Sequence, residues 1–411
     1  MTYLEQLLEG KEVAWRPLGE VCGFRNGFAF RHNTFQEKGL PIIRISDIQK
    51  GKVLLDKTVF FDLSDYKEDL APYELKRGDV VISLSGIIKT ALVDFESSAY
   101  LNQRVGKFLP KQELLNHKFL YYYLERKNKE LQKMAVGQIP PNLSSVRLLK
   151  EFLIPLPPLA VQQQIVEILD KYTALETELE KELAAELEAR GRQFRYYRNK
   201  LLRFGTTDPN VQWCRLGDIG TFVRGNGLQK KDFTETGVPC IHYGQIYTYY
   251  GMFATETKSF VSEEAALKFK KAQQGDLIIA TTSENVRDLC KTVVWLGKEE
   301  ICISAHSAVF HHYQNPKYLA FYFQTPWFLK QKERLAKGTT VIDISVKDLM
   351  KIEIPLPPLA VQEQIVAILD KFDTLVHSMS EGLPAEIALR RRQYEYYRNL
   401  LLRFPPPVRP S

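Results

Sequence analysis

The residue types most often used in catalysis and metal binding are scattered in this 411-residue sequence. Cys302 and His306 have a spacing that a metal ion can use, but two ligands do not form a site, and neither a paired CxxC nor HExxH is present. Ser85 precedes a glycine but lacks the GxSxG pattern of a hydrolase nucleophile. No GxxxxGK(S/T), and no GxGxxG after a strand, offers a phosphate-binding loop. We therefore expect this chain to catalyse no reaction and to bind no metal.

A second set of polar side chains lies in Gly-bearing loops, and Arg, Lys, Asn, Gln, His and Thr are the types that read base edges in a DNA groove. In the first half of the chain the candidates are Arg25, Asn26, Lys89, Gln103, Arg104, Gln138 and Asn142. In the second half they are Arg224, Asn226, Lys230, Thr282, Asn285, Arg287, His306, Lys337, Thr339 and Thr340. Any one of them alone is more simply a solvated loop side chain. Because the two sets occupy corresponding places and differ in identity, together they favour two DNA-reading surfaces.

These loops belong to a duplicated chain. Residues 154–171 read IPLPPLAVQQQIVEILDK, and residues 354–371 read IPLPPLAVQEQIVAILDK, with 16 of 18 positions identical. Downstream, QFRYYRNKLLRF (193–204) recurs as QYEYYRNLLLRF (393–404), with nine of 12 positions identical. Upstream the likeness is weaker but collinear, as in KRGDVVIS and QQGDLIIA. The chain is therefore two half-molecules, each a divergent block of about 140 residues followed by a nearly invariant block of about 50.

A third, partial copy lies at the N-terminus, where YLEQLLEGKEVAW resembles the segment from Tyr197 to Trp213. The chain would then begin near the end of an invariant block, as if a ring of two repeats had been cut there. This interpretation predicts terminal segments that lie close in space and a pseudo-twofold relation between the halves. A plain duplication with a diverged N-terminus is the alternative.

The invariant blocks have the apolar spacing of long helices. Apolar residues recur at intervals of three, four and seven from Ile165 to Leu201 and from Ile365 to Leu401, with an interruption predicted at Gly382 and Pro384. In residues 159–204, all eight acidic residues precede six of the eight basic residues. The second block carries its arginines near its C-terminal end. Antiparallel pairing places acidic halves against basic halves, so we predict an antiparallel coiled coil. Two independent solvated helices are the alternative.

The divergent blocks have the pattern of mixed α and β structure. Short apolar runs such as PIIRI, DVVISL, DLIIA and KTVVWL, bounded by turn residues, predict strands. One helix per block is predicted, around residues 116–133 and 315–335. Because both helical blocks are neutral, the net charge of +7 falls on the divergent blocks and the short ends. That distribution suits a polyanionic partner, although many domains that bind no polyanion carry a similar charge.

The bulk composition is that of an ordinary soluble protein. Hydrophobic residues make up 45% and charged residues 26%, and no apolar run is long enough to cross a bilayer. The first 15 residues contain three glutamates and no apolar block, unlike a secretory signal. The five cysteines are an odd number without CxxC pairs, which favours free thiols in a reducing compartment. We therefore expect a cytoplasmic protein of two to four domains without a membrane partner.

The doubled IPLPPLxxQxxIVxxLD phrase, followed each time by a long helix that closes with YYRxxLL, resembles the specificity subunit of type I restriction–modification systems. The likeness covers essentially the whole chain. It implies that each divergent block is a target recognition domain that reads one half of a bipartite, asymmetric DNA site. It also implies an α+β fold in which two mixed α/β target recognition domains are separated by two long helices. Those helices would form an antiparallel coiled coil with pseudo-twofold, circular symmetry and set the spacing between half-sites.

On this resemblance the chain divides into six segments. They are an N-terminal helical segment that completes the C-terminal repeat (1–14), target recognition domain 1 (15–154), the central repeat with its long helix (155–204), target recognition domain 2 (205–354), the C-terminal repeat with its long helix (355–404) and a tail (405–411).

The resemblance also implies partners. Each junction between a helix and a recognition domain would bind one methyltransferase subunit, which methylates adenine N6, and a restriction translocase-nuclease would complete the assembly on double-stranded DNA. S-adenosylmethionine, ATP and Mg would be bound by those subunits, and no cofactor by this chain. The residues predicted to contact methyltransferase subunits lie at the start of each repeat: Leu156, Pro157, Leu159, Gln162, Ile165, Leu356, Pro357, Leu359, Gln362 and Ile365.

Two other functions stay open from the sequence. A stand-alone DNA-binding regulator predicts tight, specific binding by the purified chain without partners. A scaffold that holds two identical protein partners and no DNA predicts that charge reversal at Arg104, Arg287 and Lys337 has no effect in a DNA-shift assay.

Overall fold

The computed structural model describes residues 3–49, 51–137, 140–378 and 381–406. The chain divides into two compact units. Unit 1 comprises Met1–Glu180 and Leu389–Ser411, and unit 2 comprises Lys181–Ala388. Each unit therefore combines one divergent block with part of each invariant block, which is why the two units share one internal plan.

The strands of unit 1 form three sheets. They are β1 (Ala14–Pro17), β2 (Cys22–Asn26), β3 (Leu40–Ile43), β4 (Ile48–Gln49), β5 (Lys52–Val53), β6 (Val59–Phe61), β7 (Glu74–Leu75), β8 (Val80–Ser83), β9 (Thr90–Leu92), β10 (Ala99–Leu101), β11 (Val105–Pro110) and β12 (Leu153–Leu156). One sheet has the strand order β2-β11-β8-β9-β5-β4, the second has the order β6-β3-β10-β7, and β1 pairs antiparallel with β12.

The helices that begin in unit 1 are α1 (Tyr3–Leu8), α2 (Leu18–Val21), α3 (His117–Arg126), α4 (Asn128–Met134), α5 (Ser145–Glu151) and α6 (Leu159–Leu201). The first prediction of a single helix over residues 116–133 was wrong, since α3 and α4 are separate helices. The chain turns at Lys127, and the turn lets Leu131 reach the hydrophobic core, where its side chain is fully buried.

Hydrophobic side chains cover both faces of the largest sheet of unit 1. Successive side chains of a strand point to opposite faces, so neighbouring residues of β8 pack in different cores. Val80 and Ile82 of β8 pack in one core with Phe119 of α3. Val81 points the other way and packs with Ile43, which belongs to the four-stranded sheet. The loops at the ends of these strands are thus held by a core on each side.

The strands described for unit 2 form a related arrangement of two five-stranded sheets and two two-stranded sheets. Its strands are β13 (Gln212–Arg215), β14 (Gly220–Arg224), β15 (Phe233–Thr234), β16 (Val238–Ile241), β17 (Phe253–Ala254), β18 (Ser259–Val261), β19 (Lys270–Ala272), β20 (Leu277–Ala280), β21 (Thr282–Ser283), β22 (Thr292–Trp295), β23 (Ile301–Ile303), β24 (Ser307–His312), β25 (Ile342–Asp343) and β26 (Glu353–Leu356). Two five-stranded sheets have the orders β14-β24-β20-β22-β17 and β15-β18-β16-β23-β19, while β13 pairs with β26 and β21 with β25.

The further helices are α7 (Tyr243–Thr248), α8 (Glu263–Ala266), α9 (Pro316–Phe323), α10 (Pro326–Leu335), α11 (Val346–Leu349), α12 (Leu359–His377) and α13 (Leu383–Leu401). The prediction of one helix over residues 315–335 was also wrong. Pro326 disfavours helical conformation at the residue before it, and the Thr325 hydroxyl accepts a hydrogen bond from the backbone N–H of Phe328 at 3.3 Å, which starts α10.

Within unit 1, α6 packs antiparallel to α13. The hydroxyl groups of Thr173 and Tyr394 lie 2.8 Å apart, and Glu180 forms an ion pair with Arg391. The contacts move to lower numbers on α13 as they move to higher numbers on α6, which defines antiparallel packing. The acidic part of α6 therefore meets the basic part of α13, and the predicted antiparallel arrangement is confirmed.

Within unit 2, the second half of α6 packs antiparallel to α12. The rings of Phe194 and His377 lie 5.6 Å apart, and those of Tyr197 and Phe372 stack at 5.4 Å. The predicted interruption of the second helical block is present, because α12 ends at His377 and α13 begins at Leu383.

The two terminal segments of the chain share one hydrophobic core in unit 1. Leu4 and Leu8 of α1 are buried with Leu402 and Phe404. The indole N–H of Trp15 donates a hydrogen bond of 2.9 Å to the backbone carbonyl oxygen of Pro405. Across the described ranges, no helix combines the length and the apolar character that a bilayer crossing requires.

Candidate nucleic-acid interface

Loops from distant parts of each divergent block are joined to one another by backbone hydrogen bonds. In unit 1 this surface, loop edge 1, comprises residues 25–28, 84–89, 102–104 and the described part of 136–143. In unit 2 the corresponding surface, loop edge 2, comprises residues 223–226, 281–283, 304–307 and 337–344.

Backbone hydrogen bonds hold loop edge 1 together. The N–H of Gly27 donates to the carbonyl oxygen of Val105 at 2.9 Å, and the N–H of Leu84 donates to Arg104 at 2.8 Å. The N–H of Leu143 donates in turn to Leu84 at 2.9 Å. Because these three bonds use only main-chain atoms, they do not depend on the identity of the side chains at these positions.

The same framework recurs in loop edge 2. The N–H of Gly225 donates to Ser307 at 2.9 Å, and the N–H of Thr281 donates to His306 at 2.9 Å. The N–H of Ile344 donates to Thr281 at 3.0 Å. By these three bonds Gly225, Thr281 and Ile344 have the same backbone bonding pattern as Gly27, Leu84 and Leu143 of loop edge 1.

The paired positions carry different chemistry. Arg104 in unit 1 corresponds to His306 in unit 2, and Asn26 corresponds to Arg224; all four side chains are exposed. At these matched backbone positions, the two edges therefore carry different hydrogen-bond donors and acceptors. Arginine, asparagine and histidine side chains all bond to base edges or phosphates, so each edge offers its own pattern of donors and acceptors.

Most of the predicted DNA-reading residues lie on these two edges. On loop edge 1, Lys89 is half-buried and the exposed members are Arg25, Asn26, Gln103, Arg104 and Asn142. Gln138 lies outside the described residues. On loop edge 2, Thr282 is half-buried and the exposed members are Arg224, Asn226, His306, Lys337, Thr339 and Thr340. Contact of any of them with DNA stays a prediction.

Two predicted asparagines have side-chain partners within the chain, and the Lys337 ammonium group lies 3.3 Å from a carboxylate oxygen of Asp348. The side-chain amide of Asn226 donates to the carbonyl oxygen of Lys268 at 2.8 Å, and its oxygen accepts from the N–H of Lys270 at 2.9 Å. Asn285 bonds to Asp288 in the same way, through both its amide nitrogen and its oxygen. Both side chains thus brace loops, and they are less available for base contacts than the sequence indicated.

Arg287 and Lys230 lie beside loop edge 2 rather than on it. The carbonyl oxygen of Arg287 accepts a hydrogen bond of 2.8 Å from Lys332, which draws this loop toward α10. The charge of Lys230 acts on His242, whose pKa is lowered first by burial and then by that charge. Lys230 therefore lies close to the aromatic cluster described next.

Sequence reasoning missed an aromatic cluster at loop edge 2. The ring of Tyr243 lies 4.7 Å from His242 and 5.1 Å from His306. His306 is exposed and has a positive φ of 65°, a backbone conformation that is uncommon for residues other than glycine. On loop edge 1 the missed residues are apolar, with Ile87 71% exposed and Val136 56% exposed. The aromatic-rich run HYGQIYTYY was the available signal for the first cluster.

The helix-start residues predicted to bind partners have mainly internal contacts. Gln162 is fully buried; its oxygen accepts from the N–H of Asn116 at 2.9 Å, and its amide donates to the carbonyl oxygens of Leu114 and Pro157, each at 2.9 Å. Gln362, equally buried, repeats two of these contacts with the neighbouring loop and helix start of unit 2. The repeated phrase is therefore explained in large part by packing within each unit.

Only two members of that predicted set expose substantial surface. Leu159 is 39% exposed and Leu359 is 51% exposed. Leu156 is half-buried, and the remaining members are buried: Pro157, Ile165, Leu356, Pro357 and Ile365. Partner contact at the helix starts stays a prediction, for which Leu159 and Leu359 are the accessible residues.

One ion pair occurs at the equivalent position within each unit. The ammonium group of Lys118 lies 2.6 Å from a carboxylate oxygen of Asp170, and that of Lys317 lies 2.5 Å from Asp370. The first pair ties α3 to α6, and the second ties α9 to α12. The aspartate of the repeated phrase thus has the same role in both units.

The five cysteines are free thiols, four of them buried. Burial raises the pKa of Cys22 and of Cys290 to about 12, so these thiols are protonated near neutral pH. In the part of the chain that the structure describes, no cluster of three or more His, Cys, Asp or Glu residues is arranged to hold a metal ion.

Comparison with known proteins agrees with the duplicated architecture. The family described as "Type I restriction modification DNA specificity domain" matches residues 10–189 and again residues 210–389. The chain belongs to this family. Its members are the DNA-specificity subunits of type I restriction–modification systems, which recognise DNA and are not catalytic.

The relatives extend over the full length. The EcoR124I/EcoR124II specificity subunit of Escherichia coli is 32% identical, with 99% of this chain and 98% of the relative covered. A putative type I restriction enzyme specificity subunit of Haemophilus influenzae is 30% identical, with 98% of each covered.

Solved structures support the fold of the specificity subunit. A chain from a type I R-M system assembly superposes with a TM-score of 0.69 at 21% identity, covering 96% of this chain and 98% of that one. The HsdS subunit of Thermoanaerobacter tengcongensis gives a TM-score of 0.53 at 19% identity, with 96% of each chain covered. The α+β class with a repeated domain and long helices is thereby confirmed.

Proposed function

We propose that loop edge 1 and loop edge 2 each read one half of a bipartite, asymmetric DNA site. The observation that carries this proposal is the recurrence of one backbone framework, Gly27–Val105 and Leu84–Arg104 in unit 1, with different exposed side chains in unit 2. A protein that reads two unlike half-sites needs a common scaffold and divergent contact residues, since phosphate contacts position it and base contacts specify the sequence.

The proposal assigns Arg104 and His306 matching roles on their edges. Arg104 is exposed, and arginine bonds most often to the O6 and N7 atoms of guanine. The imidazole ring of His306, 5.1 Å from the ring of Tyr243, lacks the paired donors of a guanidinium group. His306 therefore favours a different base edge from Arg104, or a phosphate.

We propose further that the paired helices set the unread gap between the half-sites. Antiparallel contacts such as Thr173–Tyr394 in unit 1 and Phe194–His377 in unit 2 give α6 a partner on both of its halves. The spacing of half-sites is then a geometric property of the helices, as in other bipartite DNA readers. Two modest readers joined in this way also gain affinity through effective concentration when the gap fits.

The partners follow from the family and belong to the same proposal. Two methyltransferase subunits dock at the repeats and methylate adenine N6, and restriction translocase-nuclease subunits join through the complex. Those subunits supply the sites for S-adenosylmethionine, ATP and Mg, and this chain binds none of the three. The assembly acts on double-stranded DNA in the cytoplasm.

Methylome sequencing of a host that carries the whole system tests the DNA-reading proposal. Loss of the gene removes adenine methylation at one two-part motif. Arg104→Ala relaxes or weakens recognition at one half-site, and His306→Ala does so at the other. Arg77→Ala, which removes an arginine whose partner is Glu96 on the surface of unit 1, is the matched control and leaves the motif unchanged. An unchanged motif in both edge variants would contradict the assignment of the edges.

A helix insertion tests the spacing proposal separately. Four residues added within α6 after Glu182 lengthen the helix by about 6 Å. The expected result is a longer unread gap with both half-sites retained. Altered half-sites with an unchanged gap would show that the helices do not measure the distance.

A further inference from the structure

Unit 2 contains a cavity of about 820 Å³ that the proposed DNA-reading function does not use. Its walls come from the turn 250–253, the loop 287–292, the α9–α10 region and the paired helices α6 and α12. The volume lies within the range of about 300–1,000 Å³ that is usual for small-molecule sites. The cavity is therefore large enough for an organic ligand.

A buried arginine forms part of the wall. Arg198 is only 8% exposed; its guanidinium donates to the side-chain oxygens of Gln324 at 3.0 Å and of Asn199 at 3.1 and 3.2 Å. Both partners are neutral, and among the described residues no carboxylate lies within ion-pair distance of Arg198. Burial, together with the charge of Arg195, lowers the pKa of Arg198 to about 10. A buried cation without a counter-ion is costly, because desolvation is not offset by an opposite charge.

Unit 1 shows how the same position is normally neutralised. Arg398 occupies the equivalent place in the repeated YYRN sequence, and its guanidinium lies 3.0 Å from a carboxylate oxygen of Glu125. Glu125 and Gln324 both stand nine residues after the asparagine that caps their helix, Asn116 in one unit and Asn315 in the other. The glutamate of unit 1 is thus replaced by a neutral amide in unit 2, while the arginine is kept.

The space itself is also filled in unit 1 and open in unit 2. Tyr121 and Ala320 both stand five residues after the capping asparagine. A methyl group added at Gly51 would lie 2.3 Å from the hydroxyl of Tyr121, which shows how closely that side chain fills the space beside the turn before β5. At Gly251, in the turn before the equivalent strand β17, such a group would meet none of the described atoms within 4 Å.

The remaining wall of the cavity is both basic and apolar. The charged lining residues beside Arg198 are Arg287, Lys291, Lys332, Asp288 and Asp373. The bases outnumber the acids four to two; Asp288 bonds to Asn285, and Asp373 lies 2.8 Å from the ring of His377, which also lines the cavity. Apolar surface is contributed by Met252, Phe253, Phe323 and Leu329.

We propose that this cavity binds a small organic anion, whose carboxylate or phosphate group serves as the counter-ion of Arg198 while its apolar body lies against Phe253 and Phe323. The ligand takes the place that the Glu125 carboxylate and the Tyr121 ring occupy in unit 1. This site is separate from both loop edges and would make the stability of unit 2 depend on a cellular metabolite.

Isothermal titration calorimetry on the full chain at fixed ionic strength tests the site, with benzoate, phenyl phosphate and AMP as probes. We expect one-to-one binding of at least one probe; benzoate alone would identify a carboxylate site, and the phosphate compounds a phosphate site. Gln324→Glu restores the carboxylate of unit 1 and should weaken binding about tenfold or more, the loss expected for one charge-assisted contact. Ala320→Tyr fills the space and should have the same effect.

Gln163→Glu is the matched control, because it adds the same charge at an exposed position where the other repeat already carries Glu363. Binding should be unchanged in this variant. The proposal is overturned if none of the three probes binds at millimolar concentration, or if Gln324→Glu binds as tightly as the unmodified chain. Should Ala320→Tyr fail to fold, Gln324→Glu still decides the outcome. DNA binding by the same variants is expected to be normal, which separates this site from the DNA-reading function.

Discussion

Gln162→Ala is the substitution with the sharpest expected consequence, because one buried side chain joins three segments of unit 1. Its amide group bonds to the N–H of Asn116 and to the carbonyl oxygens of Leu114 and Pro157, all at 2.9 Å. These segments are the loop before α3, the start of α3 and the turn before α6. Alanine removes all three hydrogen bonds and leaves a small polar cavity.

The magnitude follows from the groups left behind. Each buried main-chain group that loses its partner costs about 1–3 kcal/mol, and partial hydration of the new cavity reduces the sum, so we expect a loss of about 3–5 kcal/mol for Gln162→Ala. Gln362→Ala should cost about 1 kcal/mol less. One of the three partners of Gln362 is the side-chain oxygen of Gln314, at 2.9 Å, which can turn to water, whereas the corresponding partner of Gln162 is a main-chain carbonyl.

Hydrogen–deuterium exchange measured by mass spectrometry gives the effect for each unit separately. Peptides that cover residues 114–124 should lose roughly two to four orders of magnitude of protection in Gln162→Ala, while unit 2 keeps its protection. Gln362→Ala should show the reverse pattern. Gln164→Ala is the control, since its exposed side chain lies on the same helix two residues after Gln162.

The refuting result is equally specific. If Gln162→Ala keeps full protection around α3 and instead loses only its affinity for a methyltransferase subunit, the side chain acts mainly at a partner interface. The internal explanation of the repeated phrase would then be wrong.

Three further perturbations have defined outcomes. Burial, and secondly the charge of Glu180, raise the pKa of Glu176 to about 7. The folded chain therefore binds this proton more tightly than the unfolded chain, and the folded state loses stability as pH rises from about 4.5 to 7. Glu176→Gln should raise the melting temperature at pH 8 and leave it unchanged at pH 4. Burial lowers the pKa of His312 to about 4, so wild-type stability should fall by up to about 3 kcal/mol between pH 6.5 and 4, and His312→Asn should lose less over this range in pH-dependent urea unfolding. Leu8→Ala should cost about 2–4 kcal/mol, seen as reduced exchange protection in the core that Leu8 shares with Leu402 and Phe404; protection equal to wild type would show that α1 is not part of that core.

Local patterns in the sequence were sufficient for the repeat helices. Apolar spacing and the separation of acids from bases predicted long antiparallel helices, because both depend only on residues a few positions apart and on charge complementarity. Contacts such as Glu180–Arg391 and Thr173–Tyr394 agree with that prediction. The interruption before Pro384 was equally readable, since proline acts on its own backbone.

Helix boundaries within the divergent blocks were less readable. The residues around Lys127 carry no strong helix breaker, so the division between α3 and α4 depends on burying Leu131 in a core assembled from distant strands. The candidate DNA-reading residues show the same limit. Asn226 and Arg104 had equal standing in the sequence, yet Asn226 is engaged by Lys268 and Lys270 while Arg104 stays exposed.

By itself, the sequence determined that this specificity subunit is a duplicated chain with two divergent recognition blocks, because repetition and helix periodicity are properties of the linear order of residues. Only the tertiary structure decided what the invariant residues do. Gln162 is buried against Asn116, 46 positions away, and Arg198 lacks the carboxylate that Arg398 has, because partners brought together by folding cannot be read from local spacing. The same physical reason explains why the cavity beside Ala320 was invisible in the sequence: a cavity depends on side chains that several separate elements bring together.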